Sequence, residues 1–499
     1  MFKLYNTKTK KKEVFKTKNK ILKIYTCGPT VYDYAHIGNF ATYISVDFLR
    51  KYLIYLGYKL EQVMNITDVG HLKVSEDNDY DLASKEDKIE IQAKKENLNP
   101  YKIVEKYTNA FLIDMGSLNI SKPEHLVKAS DNIEEMQTII LELLKNGYAY
   151  VSKNENIYFE VSKFKNYGKL SGKKLDDLIA GAGGRINVED LKNDKKNIFD
   201  FSLWISDENH IMKWPFYEAI KSGKKGYPGW HIECSAMSMK YLSKALDGKK
   251  FYKDKFNTID IHTGGEDNIF PHHEDEIAQT EACTDKEFSN FWFHKSHILI
   301  NGEKMSKSKG NFYTISDLKE KGFSPLDYRF LVLSSHYKSN LNFTLKSLNE
   351  ARENRLKIEK CYKSVLEIVE NNDFKKLNIS EYKPSFDKAL ENDLNTPLAL
   401  SIFLEFVKNI NKLNFEIYNK KEIKEFFSDF DSIFKIIDYK KEEEIPEEIL
   451  DLANKRLILQ NEKNFKEADL LRDEINKLDY EIFDKKDGFE IKKKEKIEV

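Results

Sequence analysis

The hydrophobic pattern of the first seventy residues has an α/β rhythm. The run ILKIYTCGP (21–29) predicts a buried strand closed by a Gly-Pro turn. In NFATYISVDFLRKYLIYLGY (39–58) apolar residues recur at helical spacing and stop at a glycine. KLEQVMNITD (59–68) predicts the next strand. Strand, turn, helix and strand of these lengths make a βαβ unit, and hence a parallel sheet.

From about residue 70 to 225 the pattern changes. A charged helical stretch is followed by LVKASDNIEEMQTIILELLKNGYAY (126–150), which predicts a helix, and by the strand-rich YVSKNENIYFEVS (150–162). This region reads as an insertion between two halves of one nucleotide-binding domain. The α/β rhythm then returns: GWHIECSAMSMKYL (229–242) predicts a helix, TIDIHTGG (258–265) a strand with a glycine turn, FPHHEDEIAQTEAC (270–283) a helix and FWFHKSHILING (291–302) a strand. A helical transition over 315–337 leads into a region that is helical from about Thr344 to Ile437. After the charged, proline-bearing linker YKKEEEIPEEI (439–449), one helix is expected over 447–478 and a β-piece over 480–491. No internal repeat is visible.

Length and charge add bounds. A chain of 499 residues is long enough for roughly three domains. Lys+Arg (81) and Asp+Glu (82) nearly cancel, so any polyanion partner needs a local patch rather than a global field. The chain contains no apolar run of about 18 residues, which excludes a membrane span, and the basic N-terminus lacks the apolar core of a secretory signal. A cytoplasmic chain is expected, and a monomer. Four cysteines make no disulfide framework; Cys283 and Cys361 read as small buried hydrophobes.

Three patches carry candidate chemistry. TVYDYAHIGN (30–39) puts His36, Gly38 and Asn39 where the first strand turns into the first helix, and the free N–H groups of a helix start suit a phosphate. NGEKMSKSKGN (301–311) sets Lys304, Lys307 and Lys309 among glycines and serines after a strand, as in a loop whose lysines neutralise triphosphate charge. Cys27, Cys234 and the pair His272 and Glu276 offer two thiols, an imidazole and a carboxylate, a reasonable zinc set, with the last two one helical turn apart. His273, three residues from Glu276, is an alternative to His272 on spacing alone.

Together, His-Ile-Gly-Asn after the first strand and Lys-Met-Ser-Lys-Ser after the last resemble the two signatures of class I aminoacyl-tRNA synthetases. YTCGPTVYDYAHIGN, NITD, GWHIECSAMS, DIHTGGEDNIFPHHEDEIAQ and KMSKSKGNF, in that order, resemble the cysteinyl-tRNA synthetase family over essentially the whole chain. The resemblance implies an α/β fold: a Rossmann-type parallel-sheet catalytic domain (1–115 and 226–311) interrupted by a connective domain (116–225), then a stem-contact and helical bundle domain (312–440) and a small α/β anticodon-binding module (441–499). It implies one Zn²⁺ on Cys27, Cys234, His272 and Glu276, and ATP with Mg²⁺ held by His36, Gly38, Asn39, Asp267, Lys304 and Lys307. It further implies an L-cysteine pocket lined by Thr67, Trp230 and His262, and tRNA(Cys) as partner, with Phe465 for stacking and Asp469 and Asp484 accepting from base edges. Zinc suits the task, because a soft thiolate is a good ligand and serine's neutral hydroxyl a poor one.

The chain departs from the family pattern at several places. Asn39 stands where the family more often has His. Tyr227 replaces the arginine of Gly-Arg-Pro-Gly, and Ile205 a common lysine, so a basic group is lost twice; Lys224 or Lys225 is available to compensate the first. Phe489 replaces a late tryptophan and Gln460 falls where a basic residue is usual. The competing readings are a cysteine-activating ligase acting on an amino sugar, which would lack the residues beyond Thr344, a non-catalytic tRNA-binding paralogue, which would lose the loop lysine or a zinc ligand, and a sulfur-handling metalloprotein, which leaves both nucleotide motifs unexplained.

Overall fold

The computed structural model describes residues 1–70, 87–173, 194–305, 310–368, 377–413, 419–439, 446–485 and 488–493. A hairpin, β1 (Lys3–Asn6) and β2 (Lys11–Val14), precedes β3 (Leu22–Thr26), α1 (Ile37–Tyr55) and β4 (Leu60–Ile66). Gly57, at φ 89°, takes the left-handed turn that closes α1 and releases the chain into β4. Helices α2 (Lys88–Glu96) and α3 (Pro100–Ser117) lead to β5 (His125–Lys128) and α4 (Ile133–Lys145). The helix expected from residue 126 therefore starts seven residues later, and the stretch before it pairs in parallel with β4. Part of the segment read as an insertion thus supplies an edge strand of the main sheet.

Strands β6 (Ala149–Val151), β7 (Ile157–Phe159), β8 (Phe201–Ser206) and β9 (Gly226–Pro228) form a separate antiparallel sheet in that order. Then come α5 (Trp230–Met237), the two-residue strands β10 (Leu246–Asp247) and β11 (Lys250–Phe251), β12 (Ile259–Gly265), α6 (Glu274–Thr284) and β13 (Ser289–Lys295). The main sheet has the order β13-β12-β3-β4-β5 and is parallel throughout its described residues. Its two faces feed different cores: Ile24, Phe291 and Phe293 pack with α1, whereas Tyr25 and Trp292 pack toward α4, α5 and α6. Burial on both faces is why these strands read as continuous apolar runs.

The single strand expected over 291–302 is two. β13 ends at Lys295, and β14 (Ile298–Ile300) pairs antiparallel with β15 (Glu303–Lys304) and parallel with β16 (Leu341–Phe343). The switch occurs because Ser296 donates its N–H to Tyr337 O and His297 O accepts from Leu341, so the ladder passes to a different neighbour. Helices α7 (Ile315–Glu320) and α8 (Pro325–Leu333), each with a capping box, lead into α9 (Leu345–Glu367), α10 (Lys383–Glu391), α11 (Thr396–Lys412) and α12 (Lys420–Phe434). No strand occurs beyond Thr344 in the described residues of this bundle. Its core continues that of α1: Phe434 meets Phe48 edge-on at 4.9 Å, and Phe403 stacks on Phe430 at 3.7 Å. Cys283 and Cys361 are buried, as expected.

The chain forms two compact units, Met1–Ile437 and Asp438–Val499. The second contains α13 (Glu447–Asn461), α14 (Phe465–Lys477) and the hairpin β17 (Tyr480–Lys485) with β18 (Gly488–Lys493), around Ile449, Ala453, Ile475, Tyr480 and Ile482. The one helix expected here is broken in two at Lys463, whose φ is 60°. No described helix is long and apolar enough to cross a membrane.

Candidate active site

β3 and β12 are neighbours, yet the chain leaves β3 toward β4 on one side and β12 toward β13 on the other. This is the point where the strand order reverses, and ligands of open parallel sheets bind there, beyond the carboxyl ends of the strands. Cys27 follows β3 directly, Gly264 and Gly265 end β12, and Lys295 ends β13 opposite Gly265. The loops beyond these ends line a cavity of about 430 Å³, whose wall includes Cys27, His36, Gly38, Asn39, Trp230, Asp267 and Lys304. Seven residues singled out in the sequence thus meet on one space.

The turn after β3 is fixed by Asn65. Its Oδ1 accepts from Gly28 N at 2.8 Å, and its Nδ2 donates to Thr67 Oγ1 at 3.0 Å. A Cβ at Gly28 would stand 1.7 Å from Asn65 O, so no other residue fits that crossing. Thr67 in turn donates to the buried carboxylate side chain of Glu233 at 3.0 Å.

His-Ile-Gly-Asn is a capping box. His36 caps α1, its Nδ1 accepting from Asn39 N at 3.2 Å, while Asn39 Oδ1 accepts from His36 N at 3.1 Å. Phe312 stands edge-on to the His36 ring at 5.3 Å. Asp267 is largely exposed, with His297 Nδ1 3.7 Å away, and Lys304 is exposed on β15. Lys307 and Lys309 lie outside the described residues.

Behind the cavity wall, the four sulfur, nitrogen and oxygen donors converge. Cys27 Sγ is 3.9 Å from Cys234 Sγ and 3.7 Å from Glu276 Oε1; His272 Nε2 is 3.5 Å from Cys234 Sγ and 3.1 Å from Glu276 Oε1. A tetrahedral ion with bonds of about 2.0–2.3 Å separates its ligands by about 3.3–3.8 Å, so these spacings fit one. A second group, Cys27, His262, His273 and Glu276, overlaps the first. There Cys27 Sγ lies 3.2 Å from His273 Nε2, and His262 Nε2 2.9 Å from Glu276 Oε2. Burial pushes the Cys27 thiol and the Glu276 carboxyl well above their ordinary pKa, raises that of Cys234, and lowers His262 to about 3. Without a cation, this pocket disfavours charge on its own ligands; a bound cation reverses that.

Of the expected cysteine-pocket residues, Trp230 is in the cavity wall and stacks on His272 at 4.3 Å. Thr67 and His262 are fully buried behind it, the latter also stacked on Trp292 at 4.6 Å. In the second compact unit Phe465 is 61% exposed and Asp469 is exposed, while Asp484 is clamped by Arg456 and receives a bond from Gln460 at 3.2 Å. Asn65 carries no chemical signature in the sequence, although it lies two residues before Thr67 and so shares its side of the extended chain. Lys295, at the end of β13, is likewise unmarked in the sequence; it is buried, and its Nζ donates to Ser296 O at 2.9 Å and Ser339 O at 3.2 Å. Burial lowers the pKa of that amine to about 8.

Residues 13–353 match the family described as the tRNA synthetases class I (C) catalytic domain, and 385–437 match the DALR domain. The chain is 38% identical over 98% of its length to the cysteine–tRNA ligase of Chlamydia caviae, covering 97% of that protein. It is also 38% identical over 98% to that of Caldicellulosiruptor saccharolyticus, covering 99% of it. Its fold resembles Mycobacterium tuberculosis methionyl-tRNA synthetase bound by methionyl-adenylate, at a TM-score of 0.57 and 13% identity over 83% of this chain and 88% of that one. Similarity of this extent, on a parallel sheet that brings seven of the sequence-predicted residues to one cavity, places the chain in the cysteine–tRNA ligase family of class I synthetases.

Proposed function

We propose that the chain activates L-cysteine with ATP and Mg²⁺, giving cysteinyl-adenylate and pyrophosphate, and then passes the cysteinyl group to the 3′-terminal adenosine of tRNA(Cys). The observation that carries this reading is one cavity whose wall holds both Cys27, the member of the buried Cys/His/Glu donor cluster that reaches it, and the capped start of α1.

In this reading Cys27, Cys234, His272 and Glu276 hold Zn²⁺, which supplies a soft cation able to tell the substrate's sulfur from serine's oxygen. A pocket that only excluded polarity would reject the hydroxyl isostere about a hundredfold at best. Trp230 presents an aromatic wall beside the cluster, and Thr67 and His262 hold Glu233 and Glu276 in place. The N–H groups at the start of α1, with His36 and Asn39, receive the phosphates; Asp267 takes the ribose; Lys304 and Lys307 neutralise the leaving pyrophosphate. No side chain becomes covalently linked to substrate. Catalysis is positioning plus stabilisation of developing charge.

The α-helical region and the C-terminal module serve tRNA, with Phe465 stacking on a base and Asp469 and Asp484 accepting from base edges. The match to the DALR domain and the near-complete overlap with cysteine–tRNA ligases favour this over an amino-sugar ligase of the same fold. Cysteine-dependent ATP–pyrophosphate exchange by the zinc-loaded protein, with serine as control, tests the proposal: cysteine should support exchange and serine should not. No exchange with cysteine would refute it.

A further inference from the structure

Two ligand sets share Cys27 and Glu276, and the hydrogen bonds around them distinguish the roles of their histidines. From the N-terminal hairpin, Thr7 Oγ1 lies 2.8 Å from His294 Nδ1, His294 Nε2 lies 2.7 Å from His273 Nδ1, and His273 Nε2 lies 3.2 Å from Cys27 Sγ. From the other side, Asp275 accepts from Tyr167 OH and stands 3.3 Å from His231 Nε2, and His231 Nδ1 lies 2.8 Å from His272 Nδ1. We propose that Thr7 is a positioning residue for the metal centre: through His294 it fixes His273 in the tautomer that donates its Nε2–H to the Cys27 sulfur. The proposal rests on the reading that Cys27, Cys234, His272 and Glu276 are the ligands.

A neutral imidazole has one donor and one acceptor, so each chain of rings has a single direction. A metal-bound sulfur is a thiolate and only accepts. His273 therefore carries its proton on Nε2, its Nδ1 accepts from His294 Nε2–H, and His294 Nδ1 needs a donor. The Thr7 hydroxyl is that donor. In the other chain the Asp275 carboxylate accepts from His231 Nε2–H, His231 Nδ1 accepts from His272 Nδ1–H, and His272 Nε2 is left with a lone pair. His272 and His273 are adjacent in sequence, yet one offers the centre a lone pair and the other an N–H. His262 Nε2 likewise donates to Glu276 Oε2. Both histidines of the second set thus act on ligands of the first, which is why the two sets overlap.

Two thiolates and a carboxylate outweigh a divalent cation by one negative charge in a buried pocket. An N–H bond to Cys27 offsets that excess and keeps the centre receptive to a further sulfur.

Thr7→Val in the full-length chain removes the hydroxyl while keeping the side-chain shape and the backbone bond from Thr7 N to Trp292 O at 3.0 Å. Zinc affinity is measured by competition with a chromophoric chelator. In the cobalt(II)-loaded protein, the sulfur-to-cobalt charge-transfer band reports the electron density on the thiolates. Thr7→Val should weaken zinc about tenfold and move the band to lower energy. Thr7→Ser should restore both, and His294→Phe, a second break in the same chain, should reproduce the shift. Should the wild type bind one ion while Thr7→Val and His294→Phe leave affinity and band unchanged, the inference is overturned and the ligand assignment stands. A wild-type chain that takes up neither zinc nor cobalt overturns the ligand assignment itself, and the inference with it.

Discussion

Gly38→Ala tests how the opening motif works. The new methyl would stand 2.8 Å from His36 Cε1 and 2.9 Å from His36 Nδ1, with Met305 Cε at 3.5 Å on another side. Carbon contacts settle at about 3.5–4.0 Å, so the ring must retreat by roughly 0.7 Å or more. Phe312 stands edge-on to it at 5.3 Å, so the retreat is a swing of the ring rather than a simple shift. The cap bond from Asn39 N to His36 Nδ1 is already 3.2 Å and does not survive that movement. Losing the cap costs about 1 kcal/mol. That is small beside a stability of about 5–15 kcal/mol, so the variant folds and melts only a few degrees lower. Activity should suffer far more, because displacing a charge-stabilising group by about 1 Å costs roughly a hundredfold. The assay is kcat/KM for ATP in cysteine-dependent pyrophosphate exchange, beside a thermal melt. Gly116→Ala is the control: its new Cβ meets nothing within 4 Å beyond its own helix backbone and chain neighbours, and activity should not change. Asn39→Ala keeps the bond from Asn39 N to His36 Nδ1, removes only the reciprocal bond from His36 N, does not push the ring, and should lose less than Gly38→Ala. Wild-type exchange by Gly38→Ala would refute the argument that Gly38 is there to seat His36.

Cys234→Ser should abolish stoichiometric zinc by metal analysis, and one retained ion per chain with normal cysteine affinity would break the ligand assignment. Lys307→Ala should slow adenylate formation by about 10²–10³-fold in stopped-flow measurements, with cysteine binding little changed. Asp114, on α3, has its pKa raised to about 6 by burial, partly countered by Lys319. A carboxyl whose folded pKa exceeds its unfolded value of 3.8 costs stability once it is ionised, so the penalty grows as pH rises from about 4 to 6 and is complete at 7. Asp114→Asn should therefore stabilise the chain at pH 7 by roughly 1 kcal/mol after solvent screening, and the gain should fade toward pH 4 in urea melts; an equal gain at both pH values would contradict the assigned cause.

Local patterns were legible and long-range pairings were not. The unit β3–α1–β4 follows from periodicity and a glycine stop, because each element's signal lies within its own residues. Three of the four residues of β5 fall within the helix expected over 126–150, because so short an edge strand carries no period; only β4 beside them makes them a strand. The break between α13 and α14 carries no glycine or proline, and a lysine takes the left-handed position instead. The site divides in the same way. Cys27, His272 and Glu276 are chemistry-bearing residue types, the last two one helical turn apart, but it is the resemblance to the family that joins them into one candidate set. Asn65, Glu233, Thr7 and His294 are common residue types whose work exists only once distant segments meet, Thr7 being brought to His294 by a backbone bond to Trp292.

The two lost basic residues make the point most sharply. Ile205 and Tyr227 are cross-strand partners in the β8–β9 pair. Residues directly opposite share a sheet face and must suit each other, so the two expected departures from the family pattern fall at one place in the structure. Like charges placed opposite would repel and need an anion between them; an aliphatic and an aromatic side chain need none. Tyr227 is buried and stacks on His210 at 4.0 Å, and His210 Nε2 lies 3.4 Å from Asp87 and 3.7 Å from Glu90. Burial works against charge on His210, but the nearby carboxyl groups of Asp87 and Glu90 outweigh it and lift the pKa above the usual imidazole value. An imidazole lying on the tyrosine ring therefore stands beside Asp87 and Glu90. Neither Ile205 nor Tyr227 lines the cavity at the ends of β3 and β12.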